Sequence, residues 1–96
     1  MPAYVITELT THDLEEIEKY RKLVPETVKS FNGKFIVRGG HTTTLEGDWK
    51  PERIVVIEFP TVSRAQEWWN SEAYSKARVI RQEAADAKMI IVEGVQ

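Results

Sequence analysis

The chain has 96 residues, 42% of them hydrophobic and 29% charged, and 13 basic against 15 acidic side chains leave a net charge of -2. That length supports one core and not two, so residues 1–96 read as a single domain, and the composition lies far from that of disordered chains. The dispersed, balanced charge argues against a nucleic-acid partner, and the lack of cysteine excludes disulfides, a thiolate nucleophile and thiolate metal sites.

Residues 3–9 are apolar and β-branched over strand length, and Thr10 and Thr11 end them. Asp13 followed by Glu16 has the spacing of a capping box and opens a helix whose stripe is Leu14, Ile17, Tyr20, Val24, Val28 and Phe31. Pro25 should kink or restart that helix, and Asn32-Gly33 should end it in a left-handed cap. Residues 34–38 and 41–46 both read as strand, with Gly39-Gly40 as a bulge between them. Gly47-Asp48-Trp49-Lys50-Pro51 is hairpin-loop chemistry, and residues 53–59 form the next strand. With a bulge at Gly40, that glycine is expected to be harder to replace than Gly47 at a hairpin tip. Ser63 and Gln66 make a second capping box before a helix carrying Trp68 and Trp69, and Asn70-Ser71 should break it. A continuation over residues 72–85 has Ala73, Ala77, Ile80 and Ala84 as its buried stripe, and residues 88–93 are the last strand.

This order predicts an α+β, ferredoxin-like βαββαβ fold: a four-stranded antiparallel sheet with both helices on one face. Its strands are apolar on both faces: Val55, Ile57 and Phe59 oppose Ile54 and Val56, while Ile90 and Val92 oppose Met89 and Ile91. Two helices cover one face, which leaves roughly 300 Å² of flat apolar projection for a second copy of the chain, so a homodimer is expected. No apolar run reaches the ~20 residues of a membrane span, and the start lacks signal-peptide character, so a cytoplasmic location without a membrane partner is expected.

Tyr20-Arg21-Lys22, Val37-Arg38-Gly39-Gly40, Leu45-Glu46-Gly47-Asp48-Trp49, Glu58-Phe59-Pro60, Ser71-Glu72-Ala73-Tyr74, Arg78, Arg81 and Ala85-Asp86 together resemble the domain-of-unknown-function 1330 family. The resemblance runs over essentially the whole chain. It departs from the usual pattern at Leu14, where proline commonly follows the capping aspartate, and in having both Trp68 and Trp69. It implies a dimeric α/β barrel and assigns no chemistry. Within that superfamily some relatives are cofactor-free monooxygenases or isomerases, some decompose chlorite-like substrates and some bind haem; the analogy is one of fold alone.

The candidate ligand-binding residues are Arg38, Gly39, Gly40, Trp69, Tyr74, Arg78 and Arg81. Tyr74, Arg78 and Arg81 follow at steps of four and three, so one helix face presents a phenol and two guanidinium groups suited to a carboxylate or phosphate. The alternative is a partly solvated face bonded to Glu72, Glu83 or the partner subunit. Arg38 lies on a strand beside glycines that would let a ligand approach the backbone; its alternative is an ion pair with Glu46 or Glu58. Trp68 and Trp69 stand about 100° apart, so one belongs to the core, and the other walls a pocket or packs at the dimer interface, as Trp49 would from the opposite side. His12 and His41 lack metal-ligand spacing, no P-loop or dinucleotide fingerprint occurs, and no metal or cofactor is implied. Glu8, Glu46 and Glu58 are expected to pair with Arg38 and Arg53. The leading reading is a dimer that binds a small anionic or aromatic ligand in a cleft between helices and sheet. A cofactor-independent monooxygenase or isomerase, and a ligand-free structural or regulatory dimer, are the alternatives.

Overall fold

The computed structural model describes residues 1–95, in the order β1 (Ala3–Thr11), α1 (Leu14–Ser30), β2 (Lys34–Arg38), β3 (Arg53–Phe59), α2 (Val62–Asn70), α3 (Glu72–Ala84) and β4 (Ala85–Glu93). The strands form one antiparallel sheet in the order β2-β3-β1-β4, the ferredoxin-like arrangement expected from the sequence. Alternation along β1 decides which side is covered: Ala3, Val5, Thr7 and Leu9 are buried under the helices, and the residues between them face away. Register carries this division across the sheet. Val5 stands opposite Ile57 and Ile91, and Thr7 opposite Val55 and Met89, so all of these share the helix-covered face. Trp68, Tyr74, Phe59, Ile17 and Val28 are the largest side chains fully buried there.

The open face is apolar at its centre and charged at its ends. Val37, Val56, Ile6 and Ile90 line up across all four strands. One row away Glu8 stands opposite Lys88, and on the other side Glu58 pairs with Lys34 at 3.4 Å.

Local chemistry explains the helix ends and corrects three expectations. Asp13 Oδ1 accepts from the Glu16 amide at 3.1 Å, yet Glu16 does not reach back, because the Asp13 amide already donates to the Ala84 carbonyl at 3.0 Å. The Glu16 carboxylate takes Lys19 Nζ at 2.7 Å instead. α1 runs unbroken through Pro25 and ends with Asn32 at φ 64°, where the Gly33 amide donates to Val28 and the Asn32 amide to Lys29, the paired bonds of a Schellman cap. α2 is capped by Thr61 rather than Ser63: Thr61 Oγ1 accepts from the Arg64 amide at 3.1 Å, two residues earlier than the Ser63 spacing suggests. Ser71 separates α2 from α3 as expected, closing one with its amide on the Trp68 carbonyl and capping the other by accepting from the Tyr74 amide.

The strand expected at 41–46 does not form. The sheet pairing of β2 ends where Gly39, at φ +75°, donates to the Ile54 carbonyl at 2.9 Å and turns the chain off β3. With no strand left to pair, residues 41–50 lie exposed over one corner of the open face, tied by Trp49 Nε1 to Glu8 Oε2 at 3.1 Å. The irregularity within β2 falls between Phe35 and Val37, not at the glycines. Gly39 therefore takes the constrained role expected of Gly40, which meets nothing within 4 Å, and Gly47 is itself at φ +85°. The expected ranking of Gly40 over Gly47 is overturned, because the backbone constraint sits at Gly39 and Gly47.

Candidate functional site

Between α1, α3 and the covered sheet face lies a cavity of about 40 Å³ lined by four arginines, Arg21, Arg38, Arg53 and Arg81. Its apolar wall includes Leu9, Ile17, Val24, Phe35, Ile57 and Met89, and Thr7 and Tyr20 add hydroxyls. Among the described residues, no histidine or carboxylate lines it. Arg38 is exposed and Arg21 and Arg53 are partly so, which puts the mouth on the β2 side; Arg81, 5% exposed, is at the closed end.

Each arginine is there for a local reason. Arg53 shares the inward parity of Val55, Ile57 and Phe59 on β3. Its guanidinium lies against Gly39, where any Cβ would collide with it. Arg38 reaches inward because of the irregularity in β2, stacks 4.4 Å above the Phe35 ring, and donates from Nη2 to the Arg21 carbonyl at 3.2 Å. That carbonyl is free because residue 25, which would otherwise donate to it from the next turn, is proline and has no amide hydrogen. Pro25 thus leaves the helix intact and provides the anchor for Arg38. Arg21 is paired with Glu18 on its own helix. Burial lowers the Arg53 pKa below its ordinary value, and the charges of Arg21 and Arg38 push it the same way.

The inner end is built on two tyrosines. Tyr20 of α1 and Tyr74 of α3 bring their hydroxyls to 3.1 Å with rings edge to face, and Tyr74 is fully buried against Trp68. Burial, reinforced by the Tyr74 hydroxyl, raises the Tyr20 pKa far above its ordinary value, while the positive charge of Arg81 opposes the rise. Tyr20 is a neutral phenol here, able to donate or accept but not to serve as a phenolate base. Arg81 lies in the buried stripe of α3, with Nε unpartnered.

A raised folded-state pKa means that the proton on Tyr20 contributes to stability fully below the unfolded value near 10 and that the contribution is lost as pH rises above it. From pH 10 to 11, urea unfolding of the wild type should therefore lose up to about 1.4 kcal/mol more than unfolding of Tyr20→Phe. Parallel alkaline loss in both proteins would assign it to other groups.

The residues expected to form one site divide into two groups. Arg38 and Arg81 line the cavity, Tyr74 supports it through Tyr20, and Gly39 gives room to Arg53. Gly40 touches none of this. Trp69 and Arg78 form a separate stack: the Arg78 guanidinium lies 4.4 Å over the Trp69 ring and donates to the Trp69 carbonyl at 3.1 Å. Arg78 is therefore neither ion-paired with Glu72 or Glu83 nor beside Arg81 in the cavity. The buried stripe of α3 is Tyr74, Ala77, Arg81 and Ala84, with Ala73 exposed, so the helix is rotated from the all-alanine reading. The pairings expected of Glu8 and Glu58 with Arg38 and Arg53 are ruled out by parity, since these acids lie on the open face and these arginines on the covered one. Tyr20, Arg21 and Arg53 were not among the expected site residues; the period-two pattern of β3 carries the signal for Arg53, and Pro25 four residues after Arg21 carries one for the Arg38 anchor. Among the described residues no three His, Cys, Asp and Glu side chains gather to hold a metal, and no helix is long and apolar enough to cross a membrane.

Residues 2–95 match the family described as a domain of unknown function (DUF1330). No curated protein matches the chain in sequence. A protein of unknown function from Rhodopseudomonas palustris superposes with a TM-score of 0.78 at 18% identity, covering 99% of this chain and 83% of that one. A dimeric ferredoxin-like protein of unknown function from Jannaschia sp. CCS1 gives 0.76 at 10% identity, over 98% and 100%. SnoaB, a cofactor-independent oxygenase from Streptomyces nogalater, gives 0.61 at 10% identity, over 99% and 94%. At these identities the likeness is one of fold.

Proposed function

The chain belongs to the DUF1330 family, and from that premise we propose that it is a homodimeric protein that takes a small anionic metabolite into the arginine-lined cavity. The observation that carries this reading is Arg81, a guanidinium 5% exposed, with an unpartnered Nε, in a cavity that has no carboxylate on its wall. A buried cation without a counter-charge is among the costliest arrangements in a protein interior, and an arriving carboxylate recovers much of that cost through charge-assisted hydrogen bonds. Volume decides between the two ligand types considered. A cavity of roughly 150 Å³ holds benzene; this one, at about 40 Å³, is too small for an aromatic ring and favours a compact aliphatic anion.

The dimer is supported by the apolar row Val37, Val56, Ile6 and Ile90 on the open sheet face, and by the dimeric neighbour of the same fold. A cofactor-independent oxygenase is the reading suggested by SnoaB. The cavity wall adds little to it, since it has no imidazole or carboxylate to abstract a proton and Tyr20 is held neutral.

The test is a thermal-shift series with formate, acetate and inorganic phosphate on wild type and Arg81→Met. A bound anion at a hundred times its dissociation constant adds about 2.7 kcal/mol, several degrees for a domain of this size. Arg81→Met should lose the response and melt no lower than wild type without ligand, because an apolar chain replaces an unpaired buried cation. A wild type that no anion stabilises, or a variant that melts far lower while keeping the response, overturns the proposal.

A further inference from the structure

We infer that residues 41–50 are an arm that packs on a second copy of this chain, with Leu45 and Trp49 as its contacts. This rests on the homodimer in the reading above and is independent of the anion site.

The first argument is position. Trp49 Nε1 donates to Glu8 Oε2 at 3.1 Å, and the hollow beneath the loop, about 480 Å³, has Ile54 in its lining. Glu8 stands opposite Ile54 in the sheet register, and both face away from the helices. The loop therefore lies on the same side of the sheet as Val37, Val56, Ile6 and Ile90, over the next row. Stacked sheets sit about 10 Å apart, so a partner seated on those four residues meets the loop. The hollow shares Ile54 with the sheet face on which the dimer closes, and a surface that covers one reaches the other.

The second argument is exposure combined with order. Every residue from 41 to 50 is exposed, and Leu45, at 96%, is the most exposed large apolar side chain among the described residues. Trp49 is 58% exposed. Yet the loop is pinned along its length. At its entry the Gly39 amide donates to the Ile54 carbonyl, across its neck Thr44 Oγ1 donates to the Trp49 carbonyl, and at its exit Glu52 Oε2 accepts from the Thr11 amide. A loop held in one shape with its apolar side chains outward has already met the ordering cost of association.

The third argument is area. Even doubled for side-chain relief, the flat projection of the open face, roughly 300 Å², falls short of the ~800 Å² that each partner of a standard stable interface buries. Leu45 and Trp49 add large apolar side chains beside that face, and a two-fold axis brings both in from each copy.

The deciding experiment is sedimentation velocity of the intact protein over a dilution series, with wild type, Leu45→Asp and Leu14→Asp. Leu14 is 71% exposed but opens α1, on the helix side of the sheet, so it is the control for an acid at an exposed leucine. Leu45→Asp should weaken the dimer by at least about a hundredfold, since each copy loses one buried leucine, whereas Leu14→Asp should leave it unchanged. A second measurement keeps Leu45 intact. Acrylamide quenching of the fluorescence that Trp49→Phe removes should rise on dilution to the single chain, because Trp49 passes from interface to water. If the wild type dimerises and Leu45→Asp dimerises as well as Leu14→Asp, or Trp49 is quenched alike in both states, the arm is overturned while the dimer stands. If the wild type stays a single chain, both are overturned and anion binding is untouched.

Discussion

Trp68→Ala is expected to lower the free energy of unfolding by about 3–5 kcal/mol, the range for truncating a fully buried large aromatic side chain. Trp68 has no exposed surface, its ring centroid is 4.0 Å from that of Tyr74 and 5.4 Å from that of Phe59, and Nε1 donates to Thr27 Oγ1 at 3.1 Å. The side chain therefore ties α2 to α1, α3 and β3 at once. Against the 5–15 kcal/mol typical of a whole domain, that loss leaves a protein close to unfolding. The effect should also reach the cavity, because Tyr74 rests on the Trp68 ring and holds the Tyr20 hydroxyl. Urea denaturation provides the measurement, with half-buried Trp69→Ala as the comparison. A loss no greater than that of Trp69→Ala would mean that Trp68 is not the pillar this packing describes.

The tryptophans illustrate how far the sequence could be read. Consecutive positions on a helix place one ring inward, and the chain contains no local signal for which one, since the answer depends on where α2 meets the sheet. Elements set by local chemistry were legible: Asp13, the Asn32 cap, the break at Ser71 and the alternation of β1 and β3. Thr42, Thr43 and Thr44 have strand propensity, but a strand needs a partner, and the turn at Gly39 removes it. The site failed in a similar way. Spacing grouped Arg78 with Arg81, yet three helical steps leave them about 60° apart, enough for one to enter the cavity and the other to find Trp69. Choosing alanines as the buried stripe hid the possibility that an arginine lies in it, because a buried unpaired cation contradicts the expectation that charges stay outside. That contradiction is the kind of local conflict that marks a functional position.

Ile90→Lys is expected to abolish the proposed dimer while leaving the fold of each chain little changed. Ile90 is 61% exposed in the isolated chain, so a lysine there meets water and adds little strain. In a two-fold dimer closed over the row Val37, Val56, Ile6 and Ile90, the same substitution buries an ammonium group from each copy. Even with its stem flexing toward the rim, each unpaired charge costs on the order of 3 kcal/mol, so the pair costs about 6 kcal/mol and weakens association roughly ten-thousand-fold. Glu8 with Lys88 and Glu58 with Lys34 flank this row on its two sides, the apolar centre and charged rim of an association surface. Light scattering at micromolar concentration should give twice the chain mass for wild type and the single mass for Ile90→Lys, with far-ultraviolet circular dichroism reporting whether the separated chains keep their secondary structure. A wild type that scatters as one chain would overturn the dimer and require another account of why four apolar residues line up across the open face.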